Sequence, residues 1–357
     1  MTAAADVVVL ARSGDPSPGS AFDAPCYRIP ALAVTASGRL LAAWDVRADW
    51  RDLPGPFDLV VRHSDDHGRT WTSPRVLRLH DGEHGFGDAS LIATASGRLL
   101  CWYVGSTGES FFSARAGGPG LELWLAVSDD DGLTWTHRDL TGVLRPAGVA
   151  GMFAASGNGV QLSGGQYAGR LLQPFVLRRP AGTSERDASR ADSAGRVAGG
   201  SAAEREVTQH FADVATHFAA LAHSDDDGET WALASEIGPD CDESKVVETA
   251  SGGVVLHARS RPRRRWAIAA DGGLTFTTPV AHPALVDPGC NGGLCRWGDL
   301  LVCSLLDDER ERRRLVVRTS ADDGESWSDG VLVDTGAAGY SVLAPLADGA
   351  LGLLYEA

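Results

Sequence analysis

Long apolar runs are missing from this chain of 357 residues. Crossing a bilayer by a helix needs about 20 consecutive apolar residues, and no stretch reaches that length. The opening Met1-Thr2-Ala3-Ala4-Ala5-Asp6 has no basic segment and no apolar run of the kind a secretion signal carries. The expectation is a soluble chain, cytoplasmic as written, unless a leader has been removed. Positive charge is also short. Lys and Arg number 32 against 47 Asp and Glu, a formal net charge of −15. That balance argues against nucleic acid or an anionic membrane as partner, since both require a basic face. An anionic small molecule would need a local arginine cluster to hold it.

Cysteine is sparse and scattered, at positions 26, 101, 241, 290, 295 and 303. None forms the Cys-x-x-Cys pairing of a zinc site, and a chain this size needs no disulfide framework. Buried free thiols are the expected state of Cys26, Cys101, Cys241, Cys290, Cys295 and Cys303. Cys290 and Cys295 are the one pair near enough in sequence to join in an oxidising compartment. The zinc-protease pattern His-Glu-x-x-His, the Gly-x-Ser-x-Gly elbow and a phosphate-binding glycine loop are absent. No amphipathic helix of any length is visible either.

What is present is repetition. The pattern Ser/Ala-x-Asp-x-Gly-x-Thr/Ser-Trp/Phe recurs at Ser64 to Trp71, Ser128 to Trp135, Ser224 to Trp231, Ala269 to Phe276 and Ser320 to Trp327. Each copy sets an Asp two residues before a Gly and five before an aromatic ring. This is turn chemistry: the carboxylate accepts N–H bonds of its own loop, the glycine takes a left-handed position, and the ring pins the turn to the sheet. The run Asp129-Asp130-Asp131-Gly132 has a calcium-loop look, but it lacks the spaced ligands and closing Glu of an EF-hand.

A second signal, Gly followed by an apolar strand, recurs at Gly38, Gly97, Gly169, Gly252, Gly298 and Gly349. It reads as a hairpin opening each unit. With 43 glycines, 10 tryptophans and no long helix, the repeats predict an all-β fold, a six-bladed β-propeller. The sixth unit runs out at Leu354-Tyr355, so Val7-Val8-Val9-Leu10 is expected to supply its missing strand and close the ring through the termini. The repeats extend over 1–357, which indicates a single domain. The segment 181–206, rich in Ala, Gly, Ser, Arg and acid, is expected to be a disordered insertion in the third blade.

Several polar residues fall outside the repeats. Arg28 stands in Tyr27-Arg28-Ile29-Pro30, Arg259 ends the apolar run Val254 to Ala258, and Arg312 lies in the cluster Arg310 to Arg314. Taken singly, each reads as a solvated or ion-paired arginine. Glu243 lies sixteen residues before Arg259, so a hairpin would bring the two to one rim.

The Tyr-Arg-Ile-Pro motif with its repeated Ser-x-Asp-x-Gly-x-Thr-Trp turns resembles the bacterial exo-α-sialidases (neuraminidases), over the whole chain apart from 181–206. The resemblance implies a glycoside hydrolase in which Arg28, Arg259 and Arg312 clamp the carboxylate of sialic acid; Arg313 or Arg310 could stand in for Arg312. Guanidinium forks suit that task, because they meet a carboxylate bidentately and stay charged at any working pH. Tyr340 matches the family's nucleophile and Glu243 the carboxylate that takes its proton, with Glu248 as competitor. Asp52, before Pro54-Gly55-Pro56, matches the acid/base, with Asp49 the runner-up. Arg47 matches an additional arginine near the substrate, and Asp88 the contact to its N-acetyl and O4 groups.

Phe111 would line the acyl pocket. Leu53 replaces the small residue common after the acid and would narrow that pocket. The implied donors are sialylated oligosaccharides, glycoproteins or gangliosides, and no cofactor or metal is implied. Alternatives remain: a 2-keto-3-deoxynononic acid hydrolase, a trans-sialidase, or a non-catalytic carbohydrate-binding propeller. A phenol suits this chemistry, because a carboxylate nucleophile would approach the substrate's own carboxylate against its charge.

Overall fold

The structure, a computed structural model, describes residues 7–180 and 217–357. The insertion expected at 181–206 lies outside the described residues. Strands dominate, and their hydrogen-bonded order follows the sequence. The first blade is Cys26–Val34, Leu40–Arg47, Phe57–Ser64 and Arg75–Arg78, joined antiparallel. The second runs from Gly85–Ala93 to Thr136–Asp139, with the short Gly157–Asn158 added in parallel. The third is built on Leu171–Arg178 and His217–Ser224. The fourth begins at Ser244–Glu248 and the fifth at Leu294–Trp297, each of four strands.

The last sheet has two strands, Ser341–Pro345 and Leu351–Tyr355. It packs against Leu294–Trp297 on one side and Cys26–Val34 on the other, so the sheets form a ring with their first strands nearest the axis. The fold is an all-β propeller, but the expected count of six blades needs correction: among the described residues five blades carry four strands or more. The reason is visible at the N-terminus. Val7 to Leu10 joins no strand ladder among the described residues. It is held instead by a bond from the Arg62 guanidinium to the Leu10 carbonyl and by Leu10 and Ala11 packing in the cluster that contains Leu354.

Adjacent blades bury both faces of their middle strands, which is why Leu40–Arg47 and Leu99–Ser106 are buried along their whole length. Between the first two blades Leu41, Leu59, Phe86, Leu91 and Leu99 interlock. Between the second and third, Trp102 meets Phe175 and Trp231 edge-on at 5.3 and 4.9 Å between centroids. Each such buried side chain contributes roughly 1.5 to 3 kcal/mol.

The repeated turns behave as their chemistry requires. In the first, Ser64 Oγ donates to Asp66 Oδ1 at 2.8 Å and accepts the Gly68 N–H at 2.9 Å. Asp66 in turn accepts the Thr70 N–H at 2.8 Å and its hydroxyl at 2.6 Å, while Trp71 Nε1 donates to the Gly68 carbonyl at 2.9 Å. Both His67 and Gly68 are left-handed, with φ of 60° and 86°. At Asp130 the carboxylate is likewise spent on Ser128 and Thr134, so this loop is a turn. Hydrogen bonds from Thr70, Thr134 and Ser326 and their backbones hold Asp66, Asp130 and Asp322 down at about 2. All six cysteines are free thiols, Cys290 and Cys295 included.

Candidate active site

A cavity of about 520 Å³ opens at the propeller axis. Its wall includes Arg28, Asp52, Leu53, Asp88, Phe111, Glu243, Arg259, Arg312 and Tyr340, contributed by segments far apart in sequence. The first strands of two blades deliver their side chains through the same irregularity. Cys26–Val34 bulges between Arg28 and Ala31, and Gly85–Ala93 between Gly87 and Ser90. Within these bulges Ile29 and Asp88 are left-handed, with φ of 62° and 61°. For a β-branched residue such as Ile29 that conformation is strained. A carboxylate fastens each one: Ile29 N–H donates to Glu356 Oε1 at 2.7 Å, and Asp88 N–H to Asp45 Oδ1 at 2.9 Å.

Glu243 and Arg259 meet across the first hairpin of the fourth blade. Ser244 pairs with Ala258, and the ladder continues as the Arg259 N–H donates to the Glu243 carbonyl at 2.9 Å. That register sets Arg259 Nη1 2.6 Å from Glu243 Oε2 and 2.9 Å from the Tyr340 hydroxyl. Arg28, Arg259 and Arg312 lie 5.5, 5.9 and 5.6 Å from the centre of the Tyr340 ring. Three guanidinium groups therefore surround one phenol. Burial pushes the phenol's pKa well up, and the Glu243 charge adds to that effect against the opposing arginines. Raised above its ordinary value near 10, the Tyr340 phenol is neutral at neutral pH.

The acids on the opposite side are shifted in opposite directions. Asp52 is exposed and receives Arg47 Nη1 at 2.7 Å and Arg28 Nη1 at 3.0 Å. What burial it has is outweighed by Arg47 and Arg28, which bring it down to about 2. Asp45 is fully buried; burial lifts it to about 6 in spite of its 2.7 Å pair with Arg47. Burial, and the like charge of Asp45, raise Asp88 well above the usual carboxyl range. Arg47 does not line the cavity but buttresses it, paired with Asp45, Asp52 and, at 3.6 Å, Asp88.

The runners-up go elsewhere. Asp49 is bound by Arg51, Glu248 accepts from Ser163 and the Gly164 N–H, and Arg313 pairs with Asp308. Arg310 does reach the cavity wall, alongside Arg312. The apolar side of the cavity combines Leu53 and Phe111 with Phe112, Leu121 and Phe153, and Phe111 meets Phe153 edge-on at 4.9 Å.

Sequence reasoning missed Glu356 and Asp45. Beyond its bond to Ile29, Glu356 accepts the Tyr340 N–H at 3.1 Å and lies 3.6 Å from Arg28 Nε. One signal pointed there: Gly339 and Gly87 leave space for these carboxylates, since an added Cβ would come within 2.0 Å of Glu356 Oε2 or 2.7 Å of Asp45 Oδ2. Phe153, Leu121 and Trp50 were missed as well, because nothing periodic marks a cavity wall assembled from separate blades.

A β-propeller whose axial cavity sets three arginines around a half-buried tyrosine, with carboxylates on both sides, is the class that fold and site define together. No protein-family model matches the chain. It is 32% identical over 374 residues to a sialidase of Micromonospora viridifaciens, matching 98% of this chain and 51% of that protein. A sialidase of Bacteroides fragilis (strain YCH46) is 26% identical over 92% of the chain and 60% of its own length. Among solved structures, the microbial sialidase Hz136 superposes with a TM-score of 0.75 at 25% identity, covering 93% of this chain and 63% of that one. The chain belongs to the sialidase family. It spans about half the length of the Micromonospora relative.

Proposed function

We propose that this chain is a retaining exo-α-sialidase, releasing terminal α-linked sialic acid from oligosaccharides, glycoproteins or gangliosides. The observation that carries the reading is the convergence of Arg28, Arg259 and Arg312 on the Tyr340 ring in a cavity that also holds Asp52 and Glu243. In a chain of net charge −15, such a cluster is a dedicated anion receptor, and its forks fit a carboxylate.

With the substrate carboxylate on the three arginines, the Tyr340 oxygen attacks the anomeric carbon. The bond to the leaving oxygen breaks as Asp52 protonates it, and the phenolic proton passes to Glu243. Arg259 already bonds both Tyr340 and Glu243, so its charge is available to the oxygen that develops negative character. In the second half a water, deprotonated by Asp52, attacks the same carbon and Tyr340 leaves, recovering its proton from Glu243. Asp88, whose carboxyl is raised well above the usual range by burial and by Asp45, would donate to an oxygen of the acyl group or to O4 whenever it is protonated. The apolar wall of Leu53, Phe111 and Phe153 suits an acyl methyl. We further treat 1–357 as one catalytic unit, since segments from both ends of the chain line the same cavity.

The test is an aryl α-sialoside assay of the unaltered chain and of Tyr340→Phe, Asp52→Ala and Glu243→Gln, each checked for folding. Release of free sialic acid, with each variant reduced by about 10²-fold or more, is expected. Unchanged turnover in all three would sink the mechanism, and an anhydro or transferred sugar as the sole product would replace hydrolysis by transfer.

A further inference from the structure

Beneath the cavity lies a buried cation that the reaction above does not use. Lys245 is 1% exposed and is not part of the cavity wall. Its Nζ donates to the Ser156 carbonyl at 2.6 Å and to Asn291 Oδ1 at 2.8 Å. Asn291 turns its Nδ2 to the Ser156 hydroxyl at 3.0 Å, the Ser156 carbonyl at 3.1 Å and Glu243 Oε1 at 3.2 Å. The Ser156 hydroxyl donates to the same Glu243 oxygen at 3.1 Å. Ser156 precedes Gly157–Asn158, Glu243 and Lys245 belong to the fourth blade, and Asn291 precedes the fifth. Close packing permits no slack: a Cβ added at Gly157 would come within 3.0 Å of Lys245 Cε.

The logic of the network is directional. An amide side chain has one acceptor and one donor end, and an ammonium group can only donate. By occupying Oδ1, Lys245 obliges Asn291 to present its Nδ2 to Glu243. The Glu243 carboxylate is thus held at both oxygens, Oε1 by Asn291 and Ser156, and Oε2 by Arg259. The Lys245 ammonium and the Glu243 carboxylate also attract each other directly across this network.

We propose that Lys245 is a positioning residue that acts through Asn291 to keep Glu243 ionised and aimed as the proton acceptor for Tyr340. The inference rests on the sialidase reading for the identity of the proton donor. The charged and titratable groups around Glu243 include Arg259, Tyr340, Lys245, the buried Asp242 that accepts the Glu243 N–H at 2.8 Å and, electrostatically across the cavity, Asp88; those around Lys245 include Glu243 and Arg264. Burial lowers the Lys245 ammonium to about 7, so below that pH it carries its charge.

The experiment follows the Glu243 carboxyl directly, by carbon NMR of the full chain labelled in glutamate, with the resonance assigned by its loss in Glu243→Gln. In Lys245→Met the Glu243 titration midpoint should rise by about one unit or more, as expected when a nearby opposite charge is removed. The acidic limb of kcat/KM should move up with it, while the inhibition constant of an unsaturated sialic acid analogue stays within a few-fold. Should Lys245→Met fail to fold, Asn291→Asp is expected to raise the midpoint at least as much, because a second carboxylate then faces the first. A folded variant of either kind with an unmoved Glu243 midpoint overturns the inference. A chain inactive on every sialoside that nonetheless shows the shift would defeat the sialidase reading while leaving the hold of Lys245 on Glu243 intact.

Discussion

Replacing Glu356 by Ala removes one carboxylate that joins three parts of the site. Its two oxygens accept the N–H of Ile29 at 2.7 Å and of Tyr340 at 3.1 Å, and it lies 3.6 Å from Arg28 Nε. Hydrogen bonds to a charged group contribute about 1.5 to 3 kcal/mol each. The Glu356 side chain is 20% exposed, so water can partly replace it. The lower end of the range therefore applies to each bond, about 3 kcal/mol for the pair. At an unfolding entropy of about 2.1 cal/mol/K per residue, a chain of 357 residues loses about 1.3 °C per kcal/mol, so the melting midpoint should fall by about 4 °C.

Activity should suffer beyond stability. Ile29 follows Arg28 directly, and its strained φ of 62° is retained because the carboxylate fixes its N–H. Release of that turn displaces Arg28, and a displacement of about 1 Å can cost on the order of 10² in rate. Glu356→Gln keeps one acceptor oxygen and should lose about half as much stability. Calorimetry together with aryl sialoside kinetics, well below the melting range, reads both effects. An Ala variant that melts within a degree of the unaltered chain, with the same kcat/KM, would show that the carboxylate fastens nothing.

Asp52→Asn should lower kcat by about 10² to 10⁴, as for loss of an acid catalyst, whereas Asp49→Asn, removing a carboxylate paired with Arg51, should leave it unchanged. The arginines hold Asp52 at about 2, and a substrate carboxylate offsetting Arg28 is expected to raise it; the basic limb of kcat is accordingly expected well above pH 2, and a kcat that already declines between pH 3 and 4 would contradict this. The turn carboxylates Asp66, Asp130 and Asp322, with Asp226, are all depressed to about 2. A depressed carboxyl stabilises the fold above its unfolded pKa of about 4, and that contribution is lost as pH falls through the folded value. The melting midpoint should therefore drop between pH 4 and 2, and a variant with Asn at all four positions should start lower at pH 6 and decline less; parallel curves would count against the assignment.

The turns were legible in the sequence because their chemistry is local: Ser64, Asp66, Gly68, Thr70 and Trp71 satisfy one another within eight residues. The Glu243 and Arg259 hairpin was legible for a related reason, since a ladder register follows from short spacing. Glu356 and Asp45 were not, because what they bind is a backbone N–H on a left-handed residue, and nothing in the letters Arg-Ile-Pro or Gly-Asp-Ala announces that φ. The Lys245, Asn291 and Ser156 network was hidden by distance: ring closure brings its members together, and each reads alone as an ordinary polar residue. The N-terminal run misled for the opposite reason. Its β-branched residues predict a strand, yet Leu10 and Ala11 find side-chain packing against the last hairpin and, among the described residues, no ladder partner.

The paired bulges at Ile29 and Asp88 reach beyond the two side chains they aim. Each inserts one residue into a strand whose alternation otherwise continues, so the parity that governs the cavity end is separate from the parity that governs blade packing. Residues on the cavity side of a bulge can be exchanged without turning the apolar set downstream toward solvent. The axial end of the propeller is in that sense an interchangeable head on a fixed shank. Chemistry can be edited at Arg28 or Asp88 while Ala31 to Val34 and Ser90 to Ala93 keep their register, provided that Glu356 and Asp45 remain to fasten the joint.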